Sequence, residues 1–145
     1  MSLVQHVRNQ NDLNNFMAQK HPYIVIDIYA DWCGPCKMLA PHLERMSKDY
    51  QSKGVQFLKI NTEEFQFGNI NALPTIQYWK LEDGAYNLKN TVVGANVQEI
   101  ESKIQELVGS ETPLFTSMPP PVKSNSNASV PFSSKKGKYA TYGSL

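Results

Sequence analysis

The chain has 145 residues, a formal net charge of +1, 41% hydrophobic residues and 19% charged ones. That length holds one core of ordinary domain size and leaves no room for two. Residues 110–145 carry +3 and residues 1–109 carry −2, so the larger part has no basic field with which to hold nucleic acid by its phosphates.

In chain order, Leu3 to Val7 is short and apolar and predicts an edge strand. Asp12 to Lys20 places Leu13, Phe16 and Met17 at helical spacing, with Asn11 as the expected N-cap. Pro22 marks a break. Tyr23-Ile24-Val25-Ile26-Asp27-Ile28-Tyr29 is β-branched, aromatic and continuous, the pattern of a strand buried on both faces. From Cys33 a helical stretch runs to Tyr50, with Met38, Leu39, Leu43 and Met46 as its apolar stripe. Pro41 lies inside it and is expected to kink it, because proline lacks the helical donor and crowds the preceding turn. Gly54 ends it.

Val55 to Ile60 predicts a second buried strand, Thr62 to Phe67 a short helix or turn, and Thr75 to Leu81 a third strand. Asp83-Gly84 signals a turn, with Thr91 to Val93 as the returning strand. Asn96 and Glu99 form an approximate capping pair. Val97, Ile100, Ile104, Leu107 and Val108 line one face of the closing helix, and Gly109 stops it. This alternation predicts an α/β fold with a central mixed β-sheet flanked by helices on both faces.

Residues 110–145 differ in kind. They hold 5 of the 9 prolines, 8 serines and a single acid, Glu111. They show no periodicity and too few large apolar residues to offset the entropy of ordering. The expected division is a domain over residues 1–109 and an irregular Pro/Ser/Lys-containing tail over 110–145, disordered unless bound to a partner. Lys135, Lys136 and Lys138 beside Tyr139 are too few to predict a nucleic-acid partner. No N-terminal segment reads as a signal peptide, and the longest apolar run is too short to span a membrane. The expected compartment is reducing and cytoplasmic.

There are two cysteines, Cys33 and Cys36. A secreted disulfide scaffold would carry more, at wider spacing. Trp32-Cys33-Gly34-Pro35-Cys36-Lys37 follows a buried strand and opens a helix. Sulfurs at i and i+3 on a first helical turn can close a small disulfide ring. Unpaired N–H groups and the helix dipole favour an anion at the first sulfur, which brings such a thiol down to about 7. The second cysteine is expected to be buried and to act after the first. A zinc half-site and an inert core pair are the alternatives. Zinc needs about four ligands, and the other candidates, His6, His21 and His42, form no spaced pair. The strand–CxxC–helix setting favours redox chemistry over both. Asp27, alone among six apolar strand residues, points to function for the same reason that its burial costs stability.

The run from Asp27 through Cys33-Gly34-Pro35-Cys36 to Pro41 resembles the active-site segment of the thioredoxin family. Ala72-Leu73-Pro74-Thr75 resembles that family's cis-proline loop, and Val93-Gly94-Ala95 its later glycine turn. The likeness spans about Leu3 to Val108 and implies a thioredoxin fold and a thiol-disulfide oxidoreductase. By resemblance, Cys33 attacks a substrate disulfide and Cys36 resolves the mixed disulfide, while Asp27 assists proton transfer to and from Cys36. Trp32 forms an apolar wall, and Gly34 and Pro35 shape the ring. Pro74 is cis and keeps metals from the sulfurs, the Leu73 backbone pairs with an extended substrate, and Gly94 lets that substrate approach.

The Gly-Pro dipeptide goes with reductases in this superfamily, with potentials near about −270 mV. The implied activity is therefore reduction of protein disulfides, with no metal and no bound cofactor beyond the reversible Cys33–Cys36 disulfide. Electrons would come from NADPH through a separate thioredoxin reductase. Some relatives place a lysine near the buried acid, where this chain is read as having Phe57. Asn61 to Pro74 is shorter than in the family, which reduces the third helix to a turn, and Gly84 to Gly94 is longer, which extends the hairpin. A second expectation is a thioredoxin-like component of a larger assembly, such as a particle or virion, docked through residues 110–145 with redox activity secondary. An oxidase or isomerase is the third.

Overall fold

The computed structural model describes residues 3–109, and the tail expected over 110–145 lies outside them. The elements run β1 (Val4–His6), α1 (Gln10–Ala18), β2 (Tyr23–Tyr29), α2 (Gly34–Asp49), a 3₁₀ turn (Gln51–Lys53), β3 (Val55–Asn61), β4 (Thr75–Glu82), β5 (Ala85–Val93) and α3 (Val97–Gly109). The five strands form one sheet in the order β1-β3-β2-β4-β5. β1 and β2 run parallel to β3, β4 runs antiparallel to β2, and β5 antiparallel to β4. This is a thioredoxin fold, with a mixed sheet as the strand pattern implied.

Side-chain alternation along β2 divides the core into two layers. Tyr23 and Val25 pack with Phe57, Ile76, Tyr78, Leu39 and Leu43 of α2, and Ile100 and Ile104 of α3. Ile24, Ile26 and Ile28 face the other way and meet Leu13, Phe16 and Met17 of α1. β2 is thus covered on both faces and flanked on both edges, which is why its sequence is apolar at every position but Asp27.

Several boundaries differ from the sequence reading. α1 begins at Gln10, and its cap is Asn9 rather than Asn11: Asn9 Oδ1 accepts the Asp12 N–H at 2.8 Å, while Asp12 Oδ2 accepts the Arg8 N–H at 3.0 Å. Asp12 thus reaches back one residue beyond the cap, to Arg8, where a capping box would return to the cap's own N–H. α2 continues through Pro41, whose ring is exposed. Gly54 adopts φ +84°, and a Cβ there would lie 2.9 Å from Pro22 Cγ, so only glycine fits this turn.

The strand returning after Asp83-Gly84 is Ala85–Val93, not Thr91–Val93. Both turn residues have positive φ (52° and 82°), the geometry whose twist matches two flanking strands. β5 therefore pairs with β4 from the turn onward, although Tyr86-Asn87-Leu88-Lys89 has little strand character. A register shift at Tyr78/Trp79 accommodates one extra residue. Between β3 and β4 no helix forms; Asn61 seats a turn instead, its carbonyl accepting the N–H groups of Glu64 and Phe65 and its Oδ1 that of Glu63. α3 is capped as expected, with Asn96 Oδ1 accepting the Glu99 N–H at 3.1 Å.

Ile104 of α3 is fully buried against the sheet. Ile104→Ala should destabilise the fold by about 2–5 kcal/mol, read as a lower denaturation midpoint in urea at unchanged slope.

Candidate redox site

β2 ends at Tyr29, and the chain then turns: the Cys33 N–H returns to the Ala30 carbonyl at 3.1 Å. This places Cys33 as the N-cap of α2, with Pro35 in the first turn, where its missing N–H leaves no helical bond unmade. Cys33 and Cys36 are joined by a disulfide, with their Cα atoms 5.3 Å apart. Cys33 Sγ also accepts the Cys36 N–H at 3.2 Å. Both cysteines are 4% exposed, so burial does not set the second apart from the first as the sequence reading expected. They pack with Ala30, and Tyr29 and Leu73 close over that cluster.

Leu73 and Pro74 arrive from the loop before β4, joined by a cis peptide bond. The Pro74 carbonyl accepts the Gly94 N–H at 2.9 Å, which ties this loop to the end of β5. Gly94 has φ +105°, and nothing lies within 4 Å of where its Cβ would be. Its backbone conformation requires glycine, and the space beside it is open. Trp32 is 70% exposed, and Gly34 and Pro35 are exposed beside it. The residues picked from the sequence thus fall in three groups. The disulfide sits with Leu73, Trp32-Gly34-Pro35 form an exposed rim, and Pro74 meets Gly94.

Asp27 lies on β2, two residues before its end, and lines one cavity with Cys36. It is 7% exposed, and its Oδ1 has no hydrogen-bond partner among the described residues. Burial pushes its carboxyl up to about 7, against the lowering pull of the Lys59 ammonium. Asp27 and Lys59 are neighbours across the β2–β3 ladder. The lysine beside the buried acid is therefore present, two residues beyond the place assigned to it. Phe57 pairs instead with Val25 and is a core residue. The signal for Lys59 was the same as for Asp27, a single charge inside an apolar strand.

Asp27, Lys59, Cys36, Tyr29, Asp31 and Lys37 all line one cavity of about 120 Å³. That is room for several waters between the carboxyl and the surface. Among the described residues, no group of three or more His, Cys, Asp or Glu side chains converges as a metal site would. No helix there is long and apolar enough to cross a membrane.

A dithiol-forming cysteine pair at a helix N-terminus, beside a buried carboxyl, defines a thiol-disulfide oxidoreductase on a thioredoxin fold. The sequence model of the family described as Thioredoxin matches residues 4–106, and the chain belongs to the thioredoxin family. It is 33% identical to Thioredoxin-T of Drosophila melanogaster, covering 76% of this chain and 70% of that one. It is 34% identical to Thioredoxin-1 of Saccharomyces cerevisiae, covering 70% and 96%. Among solved structures, the oxidised mitochondrial thioredoxin 3 of Saccharomyces cerevisiae superposes with a TM-score of 0.62 at 33% identity, over 72% of this chain and 95% of that one.

The raised Asp27 carboxyl sets a pH dependence of stability. The folded chain keeps this proton up to about 7, whereas the unfolded chain releases it near 3.8. Between those values the folded state binds more protons, so stability falls as pH rises from about 4 to 7. Asp27→Asn should remove that slope. The variant should be more stable than the native chain above pH 7, by on the order of 4 kcal/mol, and no more stable near pH 4, as urea denaturation at a series of pH values will register.

Proposed function

We propose that the chain is a protein-disulfide reductase and that its oxidised state is the one described above. The observation that carries this reading is the Cys33–Cys36 disulfide at the N-terminus of α2 with Gly-Pro between the sulfurs. In the reduced protein, the Cys36 N–H and the helix N-terminus favour negative charge on Cys33 Sγ. That thiolate attacks one sulfur of a substrate disulfide. A mixed disulfide forms, and the other substrate sulfur leaves as a thiolate and takes a proton from solvent.

Asp27, as carboxylate, then accepts the Cys36 proton through water in the shared cavity, with Lys59 beside it favouring the charged form. The Cys36 thiolate attacks Cys33 Sγ. The Cys33–Cys36 disulfide closes, and the second substrate thiolate leaves. Two electrons have passed to the substrate. A carboxyl near 7 suits this role, since it can accept and return a proton at neutral pH.

In the same reading, an extended substrate segment pairs with the Leu73 backbone beside Pro74, against Trp32 and over the open space at Gly94. Gly34 and Pro35 set the ring that presents the sulfurs. The dithiol is regenerated by a separate thioredoxin reductase drawing on NADPH. A reducing, cytoplasmic setting belongs to the proposal too. It is supported by an inventory of only two cysteines, both in the site.

The purified protein should reduce the interchain disulfides of insulin in the presence of NADPH and thioredoxin reductase, followed as turbidity. Cys33→Ser should abolish turnover. Cys36→Ser should leave a covalent mixed disulfide visible on a non-reducing gel. Failure of the native protein with both enzymatic and chemical reductant would sink the reductase reading.

A further inference from the structure

The loop Ala72-Leu73-Pro74 has three backbone carbonyls, and the protein itself occupies two of them. Thr75 Oγ1 donates to the Ala72 carbonyl at 2.7 Å, and the Gly94 N–H donates to that of Pro74 at 2.9 Å. Pro74 has no N–H to offer. Among the described residues no hydrogen bond engages the N–H or C=O of Leu73, whose side chain rests on the Ala30–Cys33–Cys36 cluster. Leu73 is thus left as the one residue of the loop with both backbone groups open, beside the disulfide.

Thr75 is placed to hold that arrangement. It is 5% exposed and is the first residue of β4, lying beside Ile28 of β2 on one side and Val93 of β5 on the other. Its Cα is fixed by the sheet, so its hydroxyl reaches back to the loop from a rigid base. Ala72 itself is exposed. Without this bond its carbonyl can turn to water at little penalty, and the loop then loses the tether on the N-terminal side of Leu73.

From this geometry we propose that Thr75 is the positioning residue for peptide recognition: its hydroxyl fixes the Ala72 carbonyl so that the Leu73 backbone stands ready to pair with an extended substrate strand. This rests on the reductase reading above and assigns to Thr75 no contact with substrate or sulfur. The bond acts on backbone pairing alone, so it should matter for a disulfide flanked by peptide groups and not for one without them.

The test compares two substrates with the full chain. One is a disulfide-linked peptide, and the other is 5,5′-dithiobis(2-nitrobenzoate), which carries no peptide group. Thr75→Val keeps the branched shape and removes the donor. It should raise KM for the peptide about fivefold with kcat held within about twofold, and leave the rate on the small disulfide as in the native chain. Thr75→Ser, which restores the hydroxyl, should return KM to the native value. If Thr75→Val does not fold, Thr75→Ala against Thr75→Ser makes the same comparison. An unchanged peptide KM in the hydroxyl-free variant, or an equal loss on both substrates, overturns the proposal while leaving the reductase reading intact. A native chain that reduces neither substrate overturns the reductase reading itself.

Discussion

Strand β2 pairs with β3 over seven residues and with β4 over six, and both faces of it are packed by helices. β3 also lies between two strands and feeds both core layers, but its pairing with β1 covers only three residues. The turn Ala30–Cys33 grows directly from its end, so the sulfurs inherit the position of the most constrained segment of the sheet. α2 then starts at the cysteines and packs back on the same sheet, which fixes the orientation of its N-terminus toward Cys33 Sγ. β4, on the other edge of β2, delivers the loop bearing Leu73 and Pro74 to the same end. Two segments distant in sequence therefore meet at the disulfide because both adjoin one strand.

The same confinement gives Asp27 its chemistry. A carboxylate in that position gives up most of its water and recovers the attraction of Lys59 across the ladder. The fold tolerates this because the side chain opens on a cavity shared with Cys36 rather than on the core. Stability and the proposed acid/base role pull in opposite directions at this residue, an opposition common at working sites.

What the sequence revealed and what it hid follow from the same physics. β2, β3 and α3 declare themselves because burial dictates their composition: Tyr23–Tyr29 is apolar at every position but Asp27, and Ile100, Ile104, Leu107 and Val108 must share a face. Cys33, Cys36 and Asp27 were visible as anomalies of spacing or polarity. Of β5 only Thr91–Val93 was, because Asn87, Leu88 and Lys89 are exposed at a sheet edge and carry no apolar pattern; the turn and the partner strand decide their conformation. Asn9 was passed over for Asn11 because the two asparagines stand close together at the start of the helix, and only the Asp12 N–H donated to Asn9 Oδ1 separates them. Lys59 stood out as the one charge in its strand, but its place beside Asp27 did not, because cross-strand register is a property of two segments. Thr75 is silent for a similar reason, since a threonine opening a strand looks ordinary until its hydroxyl has a partner.

Both thiols of this chain lie in one disulfide, with no free cysteine beside them among the described residues. Toward an alkylating reagent the free chain therefore behaves digitally. The dithiol takes up two adducts and the disulfide none, and no bystander sulfur blurs the count. A mass-tagged maleimide, added in denaturant at neutral pH after acid quenching of cells, would split the population into two bands, and the ratio of those bands would read the poise of the surrounding thiol pool without any purified activity.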